Sequence, residues 1–78
     1  MSPTDRAREM LLMGLRLTEG VDEARFAARC ALALDDALDP DILHRAIEAG
    51  YVIRTGHGLA ATAEGRLRLD ALLPALVL

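Results

Sequence analysis

A four-residue segment with two glycines, Thr55-Gly56-His57-Gly58, constrains the fold of this chain more than any other feature. It separates two β-prone runs, Tyr51 to Arg54 and Leu59 to Thr62. Glycine reaches the positive φ angles that hairpin turns demand, so the segment predicts a β-hairpin. The 78 residues are enough for one domain, and we expect residues 1–78 to form it.

The residues before the hairpin favour three helices. Leu and Ala supply most of the 53% hydrophobic content, and both are strong helix formers. The first helix is predicted from a cap at Ser2 to about Leu17, with Gly20 ending it. The second runs from a cap at Asp22 to about Arg29. The predicted buried faces of these two helices are Ala7, Met10, Leu11, Gly14 and Leu15, then Ala24, Phe26, Ala28 and Cys30.

Asp39-Pro40 gives the clearest helix start, and Gly50 the matching stop. Between the second and third helices, the leucines around Asp35-Asp36 predict a short turn or half-helix. The third helix places Ile42, Leu43, Ala46 and Ile47 on its inner face.

After the hairpin, Thr62 is predicted to cap one last helix. Its inner stripe is Leu69, Leu72, Leu73 and Leu76, and Pro74 should kink or loosen its final turn. The predicted fold is mainly α with a small β-hairpin, in the winged-helix-like order of three helices, β-wing and C-terminal helix.

The charges disfavour the DNA binding that such an order suggests. The formal net charge is −3, and the third helix would present Asp41, His44, Arg45 and Glu48 to the groove. Carboxylates repel the phosphate backbone, so we expect DNA to be an improbable partner.

Composition also bounds the location and the chemistry. Cys30 is the only cysteine, which excludes an internal disulfide and a cysteine-based cluster, and it is expected to be a small buried hydrophobe. The longest uncharged apolar run, Ala71 to Leu78, is far below the ~20 residues of a membrane span. No signal peptide is evident, so a cytoplasmic location is expected.

Apolar residues exceed what one small domain can cover. Between positions 10 and 17 only Arg16 is polar, and no charge follows Asp70 in the C-terminal tail. A helix that is apolar all round must be covered on more than one side. These two surfaces predict a partner, either the rest of a longer chain or another subunit, with self-association if the surface stays uncovered.

Glu9-Met10-Leu11-Leu12-Met13-Gly14-Leu15-Arg16-Leu17, followed by Gly20-Val21, resembles the opening motif of a known family. The family is the C-terminal domain of the oxygen-independent coproporphyrinogen III oxidase-like radical SAM proteins (the HemN/HemW group). Later residues are similar too: Leu43, Ile47, Glu48, Gly50 and Tyr51-Val52, then Leu59, Thr62, Gly65 and Leu69. Within the group the chain resembles the haem-chaperone branch.

The resemblance implies a non-catalytic accessory domain whose parent carries the chemistry in an N-terminal barrel. There, a [4Fe–4S] cluster and S-adenosylmethionine are the expected cofactors, with haem as a candidate ligand of the parent. No catalytic, cofactor or metal residue of the family maps onto this chain. The residues expected to contact the barrel are Met10, Met13, Arg16, Leu17, Leu76 and Leu78.

Two points stay open at the level of sequence. Arg16 could pair with an acidic group on the barrel, although a local pair with Glu19 is favoured. Histidine can ligate haem, but His44 is expected to be structural and His57, in the turn, to have no role. The alternative function is a stand-alone winged-helix module that binds protein or DNA.

Overall fold

The computed structural model describes residues 2–78, which form five α-helices, one 3₁₀ helix and three short strands. In chain order the elements are α1 (Pro3–Gly14), β1 (Val21–Asp22), α2 (Glu23–Cys30), the 3₁₀ helix (Leu34–Ala37), α3 (Pro40–Glu48), β2 (Val52–Arg54), β3 (Gly58–Ala61), α4 (Ala63–Arg66) and α5 (Leu69–Leu76). The predicted order of three helices, hairpin and C-terminal helix is confirmed, and so is the mainly helical fold class. The reason given for the hairpin is wrong, however, because neither Gly56 nor Gly58 adopts a positive φ.

Side-chain caps fix where four of the helices begin. The capping residues are Ser2, Asp22, Asp39 and Thr62. Each side-chain oxygen accepts a backbone N–H two or three residues later, at 2.9 to 3.2 Å. These bonds satisfy N–H groups that lack a partner within the helix, which is why the sequence predicted these starts correctly.

The sheet has three antiparallel strands in the order β1-β3-β2, one more than the predicted hairpin. Val21 of β1 lies opposite Leu59, and Val52 of β2 lies opposite Ala61. The sequence missed β1 because it is only two residues long and its second residue, Asp22, is also the cap of α2.

The first predicted helix is too long. The α-helix ends at Gly14, and two tight turns follow, with Leu17 N–H bonded to Gly14 O and Gly20 N–H bonded to Leu17 O. The chain must reverse here so that Val21 can pair with β3. Gly20 does adopt the expected left-handed conformation, with φ of 74°.

The last predicted helix is two helices, and the break is not at Pro74. The ladder is interrupted at Arg68, whose φ of −116° and ψ of 13° leave the helical region. Pro74 lies inside α5, and the helix continues for two residues beyond it. Removing one backbone donor near the end of α5 is therefore tolerated.

Every helix except the four-residue α4 contributes an apolar side chain to one core, which includes Phe26. The largest fully buried side chains are Phe26, Leu11, Leu15, Leu34, Leu38, Leu59, Leu76, Val52 and Cys30. The predicted inner faces of the first and third helices are confirmed, but Ala24 and Ala28 of α2 are exposed. Phe26 and Cys30, one turn apart, form the buried face of that helix instead.

Candidate functional site

Exposed apolar side chains lie along part of α1 and on the turn that follows it. Met13 is 63% exposed, Leu17 52% and Leu12 42%. Leu11 and Leu15, on the opposite side of the helix, are completely buried. The helix is thus covered on one side only, as the run of apolar residues predicted.

Each of these exposed residues lines a different shallow cleft. Leu12 lies with Arg8 and the end of α5 beside a cleft of about 280 Å³. Met13 lies in a cleft of about 260 Å³ between α1 and α2. Leu17 lines a groove of about 320 Å³ that reaches the hairpin turn at His57. Met10 lines the last two, so the clefts of Met13 and Leu17 are neighbours on one face.

Met10 itself is half-buried, because its thioether packs inward against α2. The Cys30 thiol donates to the Met10 sulfur at 3.3 Å, and Cys30 is only 2% exposed. The expectation that Cys30 is a buried small hydrophobe is confirmed. Met10 can offer a partner only part of its side chain.

Arg16 has a different neighbour from the one expected. Its guanidinium lies 3.8 Å from the Asp70 carboxylate, so the favoured pair with Glu19 is wrong. The first turn of α5 approaches the end of α1, which the spacing of charges along the chain does not reveal. Both side chains are well exposed, so the pair contributes little to stability.

The C-terminal tail is held in the domain by backbone hydrogen bonds. Asp39 N–H donates to Leu76 O at 2.8 Å, and Leu78 N–H donates to Ala37 O at 3.0 Å. Leu76 is fully buried, so the prediction that it contacts another domain is wrong: its side chain fills this domain's own core. Leu78 remains 54% exposed.

Comparison with known protein families identifies the family of this domain. The family model described as "HemN C-terminal domain" matches residues 1–68. The chain belongs to the HemN C-terminal domain family. The resemblance stated from the motifs is thereby confirmed, and it connects the domain to the coproporphyrinogen oxidase-like radical SAM proteins. No curated protein and no solved structure gave a significant match.

The cluster chemistry associated with such proteins does not fit the residues of this HemN C-terminal domain. An iron–sulfur cluster takes several thiolates, and this chain has one cysteine, which is buried against Met10. Among residues 2–78, no group of three or more His, Cys, Asp and Glu side chains could hold a metal ion. We therefore assign no step of that chemistry to this chain.

The two histidines lie on separate elements of the HemN domain. His44 of α3 contacts Glu48 at 2.7 Å, and both side chains are mostly exposed. His57 is exposed in the hairpin turn, and its backbone carbonyl accepts the N–H of Glu23 at 2.8 Å. Of the expected site residues, Met10, Met13 and Leu17 lie together on one face. The two histidines lie apart, on α3 and in the hairpin turn.

The solvent-facing side of α3 carries mixed charges, as the sequence predicted. Asp41, His44, Arg45 and Glu48 are all exposed.

No helix in the described part of the chain is long and apolar enough to cross a membrane.

Proposed function

We propose that this HemN C-terminal domain is a non-catalytic accessory domain that packs against the barrel of a HemN-type radical SAM haem chaperone. The observation that carries the proposal is the exposure of Met13 and Leu17, at 63% and 52%, on one face of a domain from this family. Met10 extends the face inward. Arg16 and Leu78 are further candidate contacts, and both lie where α1 meets the C-terminal part of the chain.

The exposed apolar side chains are large enough for their burial to matter. Complete burial of a Leu or Met side chain stabilises by about 1.5–3 kcal/mol. Covering the exposed halves of two such side chains would therefore contribute about 2 kcal/mol. This free energy corresponds to a more than tenfold increase in the association constant.

The proposed roles of the two domains rest on the family to which this domain belongs. In the proposed arrangement the barrel supplies the cluster and S-adenosylmethionine, and this domain supplies a covering surface. We place the protein in the cytoplasm, where a single unpaired thiol such as Cys30 is ordinary.

To test the proposal, this chain is mixed with a HemN-type protein that lacks its own C-terminal domain, and binding between the two polypeptides is measured. Isothermal titration calorimetry should show saturable one-to-one binding with a negative heat-capacity change, the mark of apolar burial. Met13→Glu and Leu17→Glu should each weaken binding about tenfold or more, because a carboxylate would lose water on docking.

Leu67→Glu is the matched control, because Leu67 is 80% exposed, lies between α4 and α5, and lines none of the three clefts around Leu12, Met13 and Leu17. It should leave the affinity unchanged. Absence of binding, or equal losses for Leu67→Glu and Met13→Glu, would contradict the proposal. If the isolated chain instead forms dimers that Met13→Glu dissociates, the face belongs to a second copy.

A further inference from the structure

The cleft beside Met13 differs from the other two in carrying a pair of arginines. It is lined by Met10 and Met13, by Arg6 and Arg29, and by Glu9. Among residues 2–78 neither arginine has a carboxylate oxygen within ion-pair distance, whereas Arg16, Arg54 and Arg68 each have one. The cleft therefore keeps two positive charges against one negative charge.

Arg6 is oriented by α2 rather than by an acid. Its Nη1 donates to the backbone carbonyl of Arg29, in the last turn of α2, at 3.4 Å. That contact occupies one of the five N–H donors of a guanidinium and brings Arg6 to the same end of α2 as Arg29. Both side chains are exposed, so their remaining donors are accessible.

We infer that this cleft binds an acidic amphipathic segment of the partner, with a carboxylate between Arg6 and Arg29 and an apolar side chain on Met13. Guanidinium groups hold carboxylates through paired, charge-assisted hydrogen bonds. Methionine is flexible and packs well against irregular apolar surfaces. The inference rests on the proposed function for the identity of the partner, the barrel, but it adds the chemistry by which the cleft selects its segment.

The net charge of the chain makes the inference easy to test. At −3 overall, the domain should attract cations by its general field. A preference for an acidic ligand can therefore come only from a local arrangement. The probe is a pair of helical peptides with the same leucines, in which the polar positions are all Glu or all Lys.

Titration followed by amide NMR shifts of the 78-residue chain should show the Glu peptide binding about fivefold or more tightly at low salt. The largest shifts should be at Arg6, Met13 and Arg29. The double variant Arg6→Glu/Arg29→Glu should remove the preference, and Arg6→Gln/Arg29→Gln serves instead if thermal unfolding shows that the reversed charges destabilise the fold.

Arg45→Glu is the matched control, since Arg45 is an exposed arginine on α3 without an ion-pair partner in the described residues. It should leave the preference intact. Tighter binding of the Lys peptide, or equal effects of Arg45→Glu and the double variant, would overturn the inference. Saturable shifts with inorganic phosphate but none with the Glu peptide would also overturn it, and would assign the cleft to small anions.

The barrel titration separates this inference from the proposed function. If Met13→Glu weakens barrel binding while Arg6→Glu/Arg29→Glu does not, the docking face stands and the acidic segment is wrong. If the Glu peptide binds this cleft but the barrel does not bind the chain, the cleft chemistry stands and the proposed function is wrong.

Discussion

At the scale of the residue, Ala31 is the position where sequence and backbone disagree most. It follows Cys30 at the end of α2 with φ of 53° and ψ of 35°, the only positive φ outside glycine in the described residues 2–78. The left-handed region costs an L-residue roughly 1–2 kcal/mol, and glycine is the usual residue there. Nothing in the sequence marks the site, because alanine is a strong helix former.

We expect Ala31→Gly to stabilise the domain by about 0.5–1 kcal/mol, since glycine removes the steric cost and Ala31 is exposed. The measurement is the urea midpoint at unchanged slope. Ala49→Gly is the control: Ala49 ends α3 with φ of −75°, so glycine should bring no gain there. A lower midpoint for Ala31→Gly would show that the left-handed backbone costs little at this site.

At the scale of the element, the short helix α4 depends on the close approach of Gly65 to Tyr51. A Cβ at Gly65 would overlap the Tyr51 carbonyl. Two further contacts join the same neighbours: Thr62 N–H donates to Tyr51 O at 2.9 Å, and the Arg68 guanidinium lies 5.0 Å from the Tyr51 ring centre. A helix of four residues is too short to be stable by itself, so these contacts hold α4 in place.

Gly65→Ala should destabilise the domain by about 2 kcal/mol or more, because backbone must move to admit the methyl group. Thermal unfolding by circular dichroism measures the change. Gly56→Ala offers the comparison, since a Cβ at Gly56 would meet no atom within 4 Å. Equal melting temperatures for the two variants would mean that α4 shifts freely and that its packing on Tyr51 is unimportant.

At the scale of the whole molecule, the C-terminal residues close the fold. Val77 forms a β-bridge with Leu38, and the Leu78 carbonyl accepts from Arg8 of α1 at 3.1 Å. Together with the bonds at Leu76 and Leu78 to the Ala37–Asp39 segment, these contacts join α1, α5 and the start of α3. The apolar tail therefore packs mainly within the domain's own core, and Leu78 is its one mostly exposed large hydrophobic side chain in the described residues.

Removing residues 77 and 78 should lower the free energy of unfolding by about 2 kcal/mol or more, given roughly 1 kcal/mol for each backbone hydrogen bond lost. A chain of this length has about 4–12 kcal/mol in total, so the loss is large. Leu78→Ala should cost far less, because it keeps the backbone bonds. Chemical denaturation of both variants measures the two losses of stability. An unchanged midpoint after truncation would show that residues 77 and 78 do not stabilise the fold.

The local signals of the sequence were sufficient for the order of the first three helices and the hairpin, and for most helix starts. Caps such as Asp39 and Thr62 act within three residues, and inner stripes such as Leu69, Leu73 and Leu76 follow helix geometry, so both can be predicted without the fold. Family membership was equally accessible, because the motif from Glu9 to Leu17 is contiguous. The exposure of Met13 and Leu17 also followed from an apolar helix that a small domain can cover on one side only.

Long-range packing decided the rest. The strand β1 exists only because β3 pairs with it, and Arg16 meets Asp70 only because the start of α5 approaches α1. Leu76 looks the same as Leu78 in sequence, yet one fills the core and the other faces solvent. The Arg6–Arg29 cleft joins residues 23 positions apart, and no local pattern reports that distance. Interactions within one helical turn involve neighbouring residues, so the sequence alone predicts them. Contacts between elements depend on how the elements pack around the core, so only the tertiary structure determines them.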